Sequence, residues 1–269
     1  MTKMAEKFFT IKTLGDDIFS VSSSPAFAGG AKDRFIPILQ SYVIVGRSKC
    51  VVIDSPQPQE ADFCGFVRGS FGMPIIVANT HGHIDHIGCN AQFDSVYLSP
   101  LDFDLVRGGG IMRDPKGELP YRILPLLDGD EIELGNRTLR VIALPGHTMG
   151  SIGFWDTASK TLFSGDAIAR RVLYGLSDEV PLSHYFDALR SASDLAPKRI
   201  FSAHDAFALS GRWNETIIKT LRAELFTTRR EWFSPIDGKR FLRILIGEEK
   251  DENFFDFTIA EELVGRENI

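Results

Sequence analysis

Residues 80–86 read Thr-His-Gly-His-Ile-Asp-His, so four side chains able to bind a metal, His81, His83, Asp85 and His86, fall within six consecutive positions. Donors packed that closely need an irregular loop held between regular elements, and this requirement constrains the fold more than anything else in the chain. The preceding stretch Pro74–Ala78 predicts a buried strand feeding a polar loop at Asn79. In an extended segment residues two apart face one side, so His81 and His83 can address one ion, while a turn toward a helix re-aims Asp85 and His86. One ion cannot easily use all four.

The rest of the first half reads as short strands: Thr10–Leu14, Ile18–Val21, Gln40–Val45 and Cys50–Asp54, the last two a hairpin across Gly46-Arg47-Ser48. Phe63, Phe66 and Val67 recur at helical spacing until Gly72, and the strand Ser95–Leu98 leads into a helix over Pro100–Val106. Gly108–Pro120, rich in glycine, proline and charge, predicts a mobile surface loop bordering a site. The second half echoes the first, with strands at Glu131–Leu134, Thr138–Leu144, Ser151–Asp156 and Thr161–Ser164, the last pair again a hairpin. One hairpin ends in Asp54 and the other in Asp166, which predicts an internal duplication offset by about 110 residues.

Leu182, Tyr185, Phe186 and Leu189 predict an amphipathic helix, Arg199–Ser202 a strand, and Ile217, Ile218, Leu221 and Leu225 a further helix. Helices alternating with hairpins favour an α/β (α+β) sandwich of two mixed sheets covered by helices. The expected organisation is a catalytic domain over residues 1–234, with 235–269 a C-terminal hairpin extension packed on the same domain. That extension, Phe241–Ile246 and Phe254–Thr258 across an acidic loop, is expected to serve packing or homodimer formation rather than the catalytic core.

Composition narrows the function. The chain has 269 residues, 43% hydrophobic and 25% charged, ordinary values for a globular enzyme. Its net charge of -6, without blocks of like charge, argues against a sequence-independent grip on nucleic acid and against an anionic membrane surface. With neither a secretory leader nor a long apolar run, a cytoplasmic location is expected. Cys50, Cys64 and Cys89 show no CxxC spacing and read as small buried hydrophobes.

Three further donors follow apolar strands: His147 in Pro-Gly-His, Asp166 in Ser-Gly-Asp and His204 in Ala-His-Asp. Five of the six histidines thereby belong to one set, and seven donors exceed one tetrahedral ion but match a pair sharing a carboxylate. The order His-x-His-x-Asp-His, Gly-His, strand-end Asp, last His resembles the metallo-β-lactamase superfamily over roughly Thr10 to Asp205. The resemblance implies a four-layer αββα sandwich. It also implies His81, His83 and His147 on one divalent ion and Asp85, His86 and His204 on a second, with Asp166 bridging. Zinc is the expected metal, with iron or manganese as alternatives, and Asp54 would hold the His loop from behind by hydrogen bonds. The chain departs from the family pattern at Ser55-Pro56, Cys89 and Ala203-His204-Asp205, none of which removes a donor.

A metal pair of this kind lowers the pKa of a bridging water toward ~7, ready for a carbonyl carbon or a phosphorus, and resemblance to the glyoxalase II-like thioester hydrolases and lactonases of the superfamily implies hydrolysis of an ester, lactone or thioester of a small molecule. Asp85 is the expected catalytic carboxylate, orienting the attacking water or taking its proton, and Tyr174 or Tyr185 a candidate to polarise the substrate carbonyl. Gly-x-Ser-x-Gly does not occur. By resemblance, a true β-lactamase is disfavoured by Asp166, and a nuclease by the acidic charge. The main alternative is a persulfide dioxygenase with one iron on His81, His147 and Asp166. His184 and the pair Arg170-Arg171 read as solvated.

Overall fold

In this computed structural model the described residues are 8–23, 39–57, 61–110, 117–177, 179–227, 230–233 and 238–264. Strands β1 (Phe9–Gly15), β2 (Ile18–Ser23), β3 (Gln40–Val45) and β4 (Cys50–Ile53) form an antiparallel meander. Helix α1 (Phe63–Phe71) starts where the Asp62 carboxylate accepts Gly65 N at 2.8 Å and stops at Gly72, whose φ of 64° is left-handed. It crosses over to β5 (Ile75–Ala78), parallel to β4. β6 (Ser95–Leu98), α2 (Phe103–Arg107) and β7 (Arg122–Pro125) follow, completing a seven-stranded sheet in sequence order. The sequence pattern missed β7. The loop expected at 108–120 is described only in part, since 111–116 lie outside the described residues.

The second sheet begins with β8 (Glu131–Glu133), β9 (Thr138–Ala143), β10 (Ile152–Asp156) and β11 (Thr161–Gly165). β12 (Arg171–Tyr174) leaves this sheet, after which α3 (Leu182–Asp194) crosses over to β13 (Arg199–Ser202), parallel to β11, and β14 (Leu209–Ser210) closes the edge. The order is β14-β13-β11-β10-β9-β8. Both sheets thus contain an antiparallel hairpin followed by a helix and a parallel strand, β3-β4-α1-β5 and β10-β11-α3-β13, as the duplicated hairpins suggested.

Alternation along the strands decides the layering. In β3 and β4, Val43, Cys50 and Val52 face Phe63, Phe66 and Val67 of α1, whereas Tyr42, Ile44, Val51 and Ile53 face Val141, Phe154 and Phe163 of the second sheet. The other face of the second sheet, through Ile142, Trp155 and Ile200, packs on α3 and on α4 (Trp213–Glu224). Helix, sheet, sheet and helix form four layers, the expected αββα sandwich.

The C-terminal segment is more than an added hairpin. β15 (Arg230–Phe233), β16 (Arg240–Ile246) and β17 (Phe255–Ala260) form a third sheet with β12, in the order β12-β17-β16-β15. β17 runs parallel to β12, and Phe241, Phe255, Phe257 and Ile259 are fully buried in one core with Tyr185 and Leu189 of α3. The hairpin is therefore part of the main core, a pairing that sequence periodicity cannot show because β17 lies some 85 residues from β12, as in Arg171 opposite Asp256. Among the described residues no helix is long and apolar enough to cross a membrane.

Candidate metal centre

Every donor singled out in the sequence sits just beyond a strand: Asp54 after β4, His81 to His86 after β5, His147 after β9, Asp166 after β11 and His204 after β13. The strand ends open on one edge of the sandwich, so five loops converge there. Asp54 leaves its strand with φ 61°, a left-handed conformation that aspartate tolerates better than most residues. Its Oδ1 accepts Thr80 N at 2.7 Å, while Oδ2 accepts Thr80 Oγ1 at 2.8 Å and His86 Nδ1 at 2.9 Å. One carboxylate thus fixes both ends of the His loop, as expected of Asp54. Gly165, before Asp166, has φ 55°, and a Cβ there would collide with the Thr80 side chain, so Asp166 can approach the His loop only behind a glycine.

Three groups of donor atoms lie within 4.8 Å of one another: His81, His83 and His147; His81, His86 and Asp166; Asp85, His86 and His204. His83 Nδ1 is 3.0 Å from His81 Nε2 and 2.7 Å from His147 Nε2. His147 Nδ1 donates to the Leu173 carbonyl at 2.6 Å, so in the neutral ring Nε2 keeps its lone pair and turns it inward. Asp166 lies between the outer groups, with Oδ2 3.6 Å from His147 Nε2 and 3.4 Å from His204 Nε2, and Oδ1 3.5 Å from His86 Nε2. Asp85 Oδ2 is 3.3 Å from His204 Nε2.

The chemistry of this donor set fits divalent cations. His86 Nε2 and Asp166 Oδ1 are buried and have no hydrogen-bond partner, the costly state that a bound ion relieves. Burial, then the other imidazoles, pushes His81 far down and His83 down to about 3, so these rings are neutral lone-pair donors. The other side is opposite in sign. Burial alone would lower His86 and His204, but Asp85 and Asp166 raise His86 strongly, and Asp166 with Asp85 brings His204 up to about 10. Burial likewise opposes ionisation of Asp85 and Asp166, yet His86 and His204 hold both carboxyls below the usual range.

Other sequence expectations fare differently. Tyr174 and Tyr185 are fully buried; Tyr174 donates to the carbonyls of Val180 and Pro181 at 2.8 and 3.1 Å, and Tyr185 to that of Ala167 at 2.6 Å. Both hydroxyls serve packing of β12 and α3, which corrects the expectation that either polarises a substrate carbonyl. His184 is exposed on α3, as expected. Arg170 is not solvated: it is buried between Phe207 and Phe254, at 5.1 and 5.0 Å from the ring centres, and donates to the carbonyls of Glu249 and Asp251. Arg171 is half exposed and pairs with buried Asp256 at 2.9 Å.

Two supports escaped the sequence reading. Ser177 Oγ lies 2.7 Å from His83 Nε2, and Asn79 donates to the His86 carbonyl at 2.8 Å within a buried Asn79-Asn90-Ser55 network. Neither serine nor asparagine carries a sequence signal for such a role.

Comparison with known proteins follows the same lines. Residues 39–204 match the family model of the metallo-beta-lactamase superfamily. The chain is 29% identical over 196 residues to a bovine (Bos taurus) acyl-coenzyme A thioesterase MBLAC2, covering 61% of this chain and 68% of that protein. It is 26% identical over 204 residues to a hydroxyacylglutathione hydrolase from Mesorhizobium japonicum, covering 76% of each. Among solved structures, a metallo-beta-lactamase from Pontibacter korlensis superposes with a TM-score of 0.63 at 15% identity, covering 80% of this chain and 100% of that one. At that identity the likeness shows the fold alone.

Proposed function

The chain belongs to the metallo-beta-lactamase superfamily, and from that premise we propose that it is a binuclear metal-dependent hydrolase of a carboxylic thioester, ester or lactone. The observation that carries the reading is the pair of orphaned buried atoms, His86 Nε2 and Asp166 Oδ1, between two groups of inward-facing donors. His81, His83 and His147 would hold one ion, Asp85, His86 and His204 the other, and Asp166 would be shared. Zinc suits this nitrogen-rich set of imidazoles with carboxylates. Bound there, divalent ions supply a water of lowered pKa and positive charge for a developing oxyanion.

The chain's own residues do the rest. Asp54 and Thr80 fix the His loop, so the donors are in place before substrate arrives. The Asp85 carboxylate, kept ionised beside His86 and His204, would accept a hydrogen bond from the attacking water and orient it. Thioesters rank first because similarity extends to proteins named as an acyl-coenzyme A thioesterase and a hydroxyacylglutathione hydrolase.

The test is elemental analysis of protein purified without chelator, followed by zinc reconstitution and assay on acyl-coenzyme A and acylglutathione thioesters, lactones, aryl esters and phosphodiesters. Two ions per chain with turnover of a carboxylic acyl substrate is expected. One iron per chain, with oxygen uptake on a persulfide donor and no hydrolysis, overturns the reading; turnover of phosphodiesters alone does so too.

A further inference from the structure

Asp102 lies at the end of a short 3-10 turn, Pro100–Asp102, immediately before α2. It occupies the N-cap position of that helix, yet its side chain makes no capping bond. The carboxylate turns the other way and is fully buried. Its Oδ2 accepts Gly82 N at 2.8 Å and Thr148 Oγ1 at 2.8 Å, and its Oδ1 accepts Gly150 N at 3.0 Å.

These donors come from two loops far apart in sequence. Gly82 stands between His81 and His83, while Thr148 and Gly150 follow His147. The approach is close on both sides: a Cβ on Gly82 would stand a tight 3.0 Å from Val106 Cγ2 and 3.2 Å from the Asp102 carbonyl, and a Cβ on Gly150 would collide with the Asp102 carboxylate itself. Thr148 is fixed in turn, since Ser151 Oγ accepts Thr148 N at 3.0 Å and lies 2.9 Å from Thr148 Oγ1. Any shift of Gly82 relative to Gly150 therefore moves His81 and His83 together against His147.

We propose that Asp102 is a positioning residue that sets the spacing of the His81, His83 and His147 donors by clasping the two loops that carry them. The inference rests on the metal-binding reading above. It gives Asp102 a task distinct from that of Asp54, whose carboxylate grips Thr80 and His86 within the single loop 80–86, whereas Asp102 joins that loop to the one after His147. Asparagine at position 102 keeps the size but turns an amide N–H toward an N–H donor, so one of the two loops loses its acceptor.

The experiment titrates zinc into the full chain against a chromogenic chelator, resolving two dissociation constants, and records cobalt(II) spectra and thermal melts for the same samples. Asp102→Asn should weaken the site of His81, His83 and His147 by roughly 10-fold or more and alter its cobalt bands, with the other site changed by less than about 3-fold. His204→Ala gives the opposite pattern and serves as reference. Thr148→Val, which removes one donor and spares the carboxylate, should show the same selectivity with a smaller shift, and it stands in if Asp102→Asn does not fold. Equal weakening of both sites, or no weakening in a folded variant, overturns the inference. A wild-type chain that binds no zinc overturns the metal reading itself, and the two failures are thereby distinguishable.

Discussion

Ser177 Oγ stands 2.7 Å from His83 Nε2, while the same ring's Nδ1 faces His81 and His147. A hydroxyl that occupies Nε2 settles which nitrogen of His83 is offered inward, and it holds the ring against rotation. Ser177→Ala should therefore raise the zinc dissociation constant of that site by roughly 10-fold, with little change in melting temperature. Chelator competition on the purified variant measures this, and an unchanged constant would show that packing alone orients the ring.

Asp166 has one oxygen toward His86 and the other toward His147 and His204. Asp166→Asn is expected to weaken both ions together, whereas His204→Ala should release mainly the ion of Asp85 and His86. Metal content after gel filtration distinguishes the two, and turnover should fall in both variants far more than helicity does. Loss of a single ion in Asp166→Asn would remove the carboxylate from its shared position.

The candidate donors were legible because His-rich loops at strand ends have few other uses, and because residue order survives where spacing does not. Asp85, His86 and Asp166 could be read from a string of letters. Asp102 could not: it follows Ser-Pro-Leu at the start of a helical pattern, where an acidic residue ordinarily serves the helix terminus. The Arg170-Arg171 pair misled for a related reason, since adjacent charges usually mark a solvated face, and the distant Phe207, Phe254 and Asp256 are what bury or pair this one. The β9-to-β11 hairpins, by contrast, rest on alternation within a few residues, and that information is local.

Phe257, fully buried and stacked near Tyr174 and Tyr185, ties the third sheet to α3. Phe257→Ala should cost about 3–5 kcal/mol, the range for truncating a large buried aromatic side chain. Urea unfolding followed by intrinsic fluorescence measures it. A cost below about 0.5 kcal/mol, the level of a surface substitution, would return the C-terminal segment to the status of a dispensable extension.

Cys50 is fully buried on β4, and burial pushes its thiol up to about 11. The unfolded chain loses that proton at lower pH than the folded one. The contribution to stability is complete below pH ~8.5 and is lost as pH rises through about 11. Denaturation midpoints at pH 8 and pH 10.5, compared between wild type and Cys50→Ala, should show a larger drop for wild type. At pH 8 an aromatic disulfide reagent should leave Cys50 unmodified until denaturant is added; rapid labelling of the native protein at this residue would contradict its burial.

The parallel pairing of β12 with β17 makes the orientation of one imidazole depend on a strand distant in the sequence. Leu173, whose carbonyl holds His147, is opposite Thr258. The strand whose carbonyl aims His147 thus takes its own place from a partner that follows all seven donors in the sequence. A perturbation of β17 therefore reaches His147 through one main-chain carbonyl, without touching a donor.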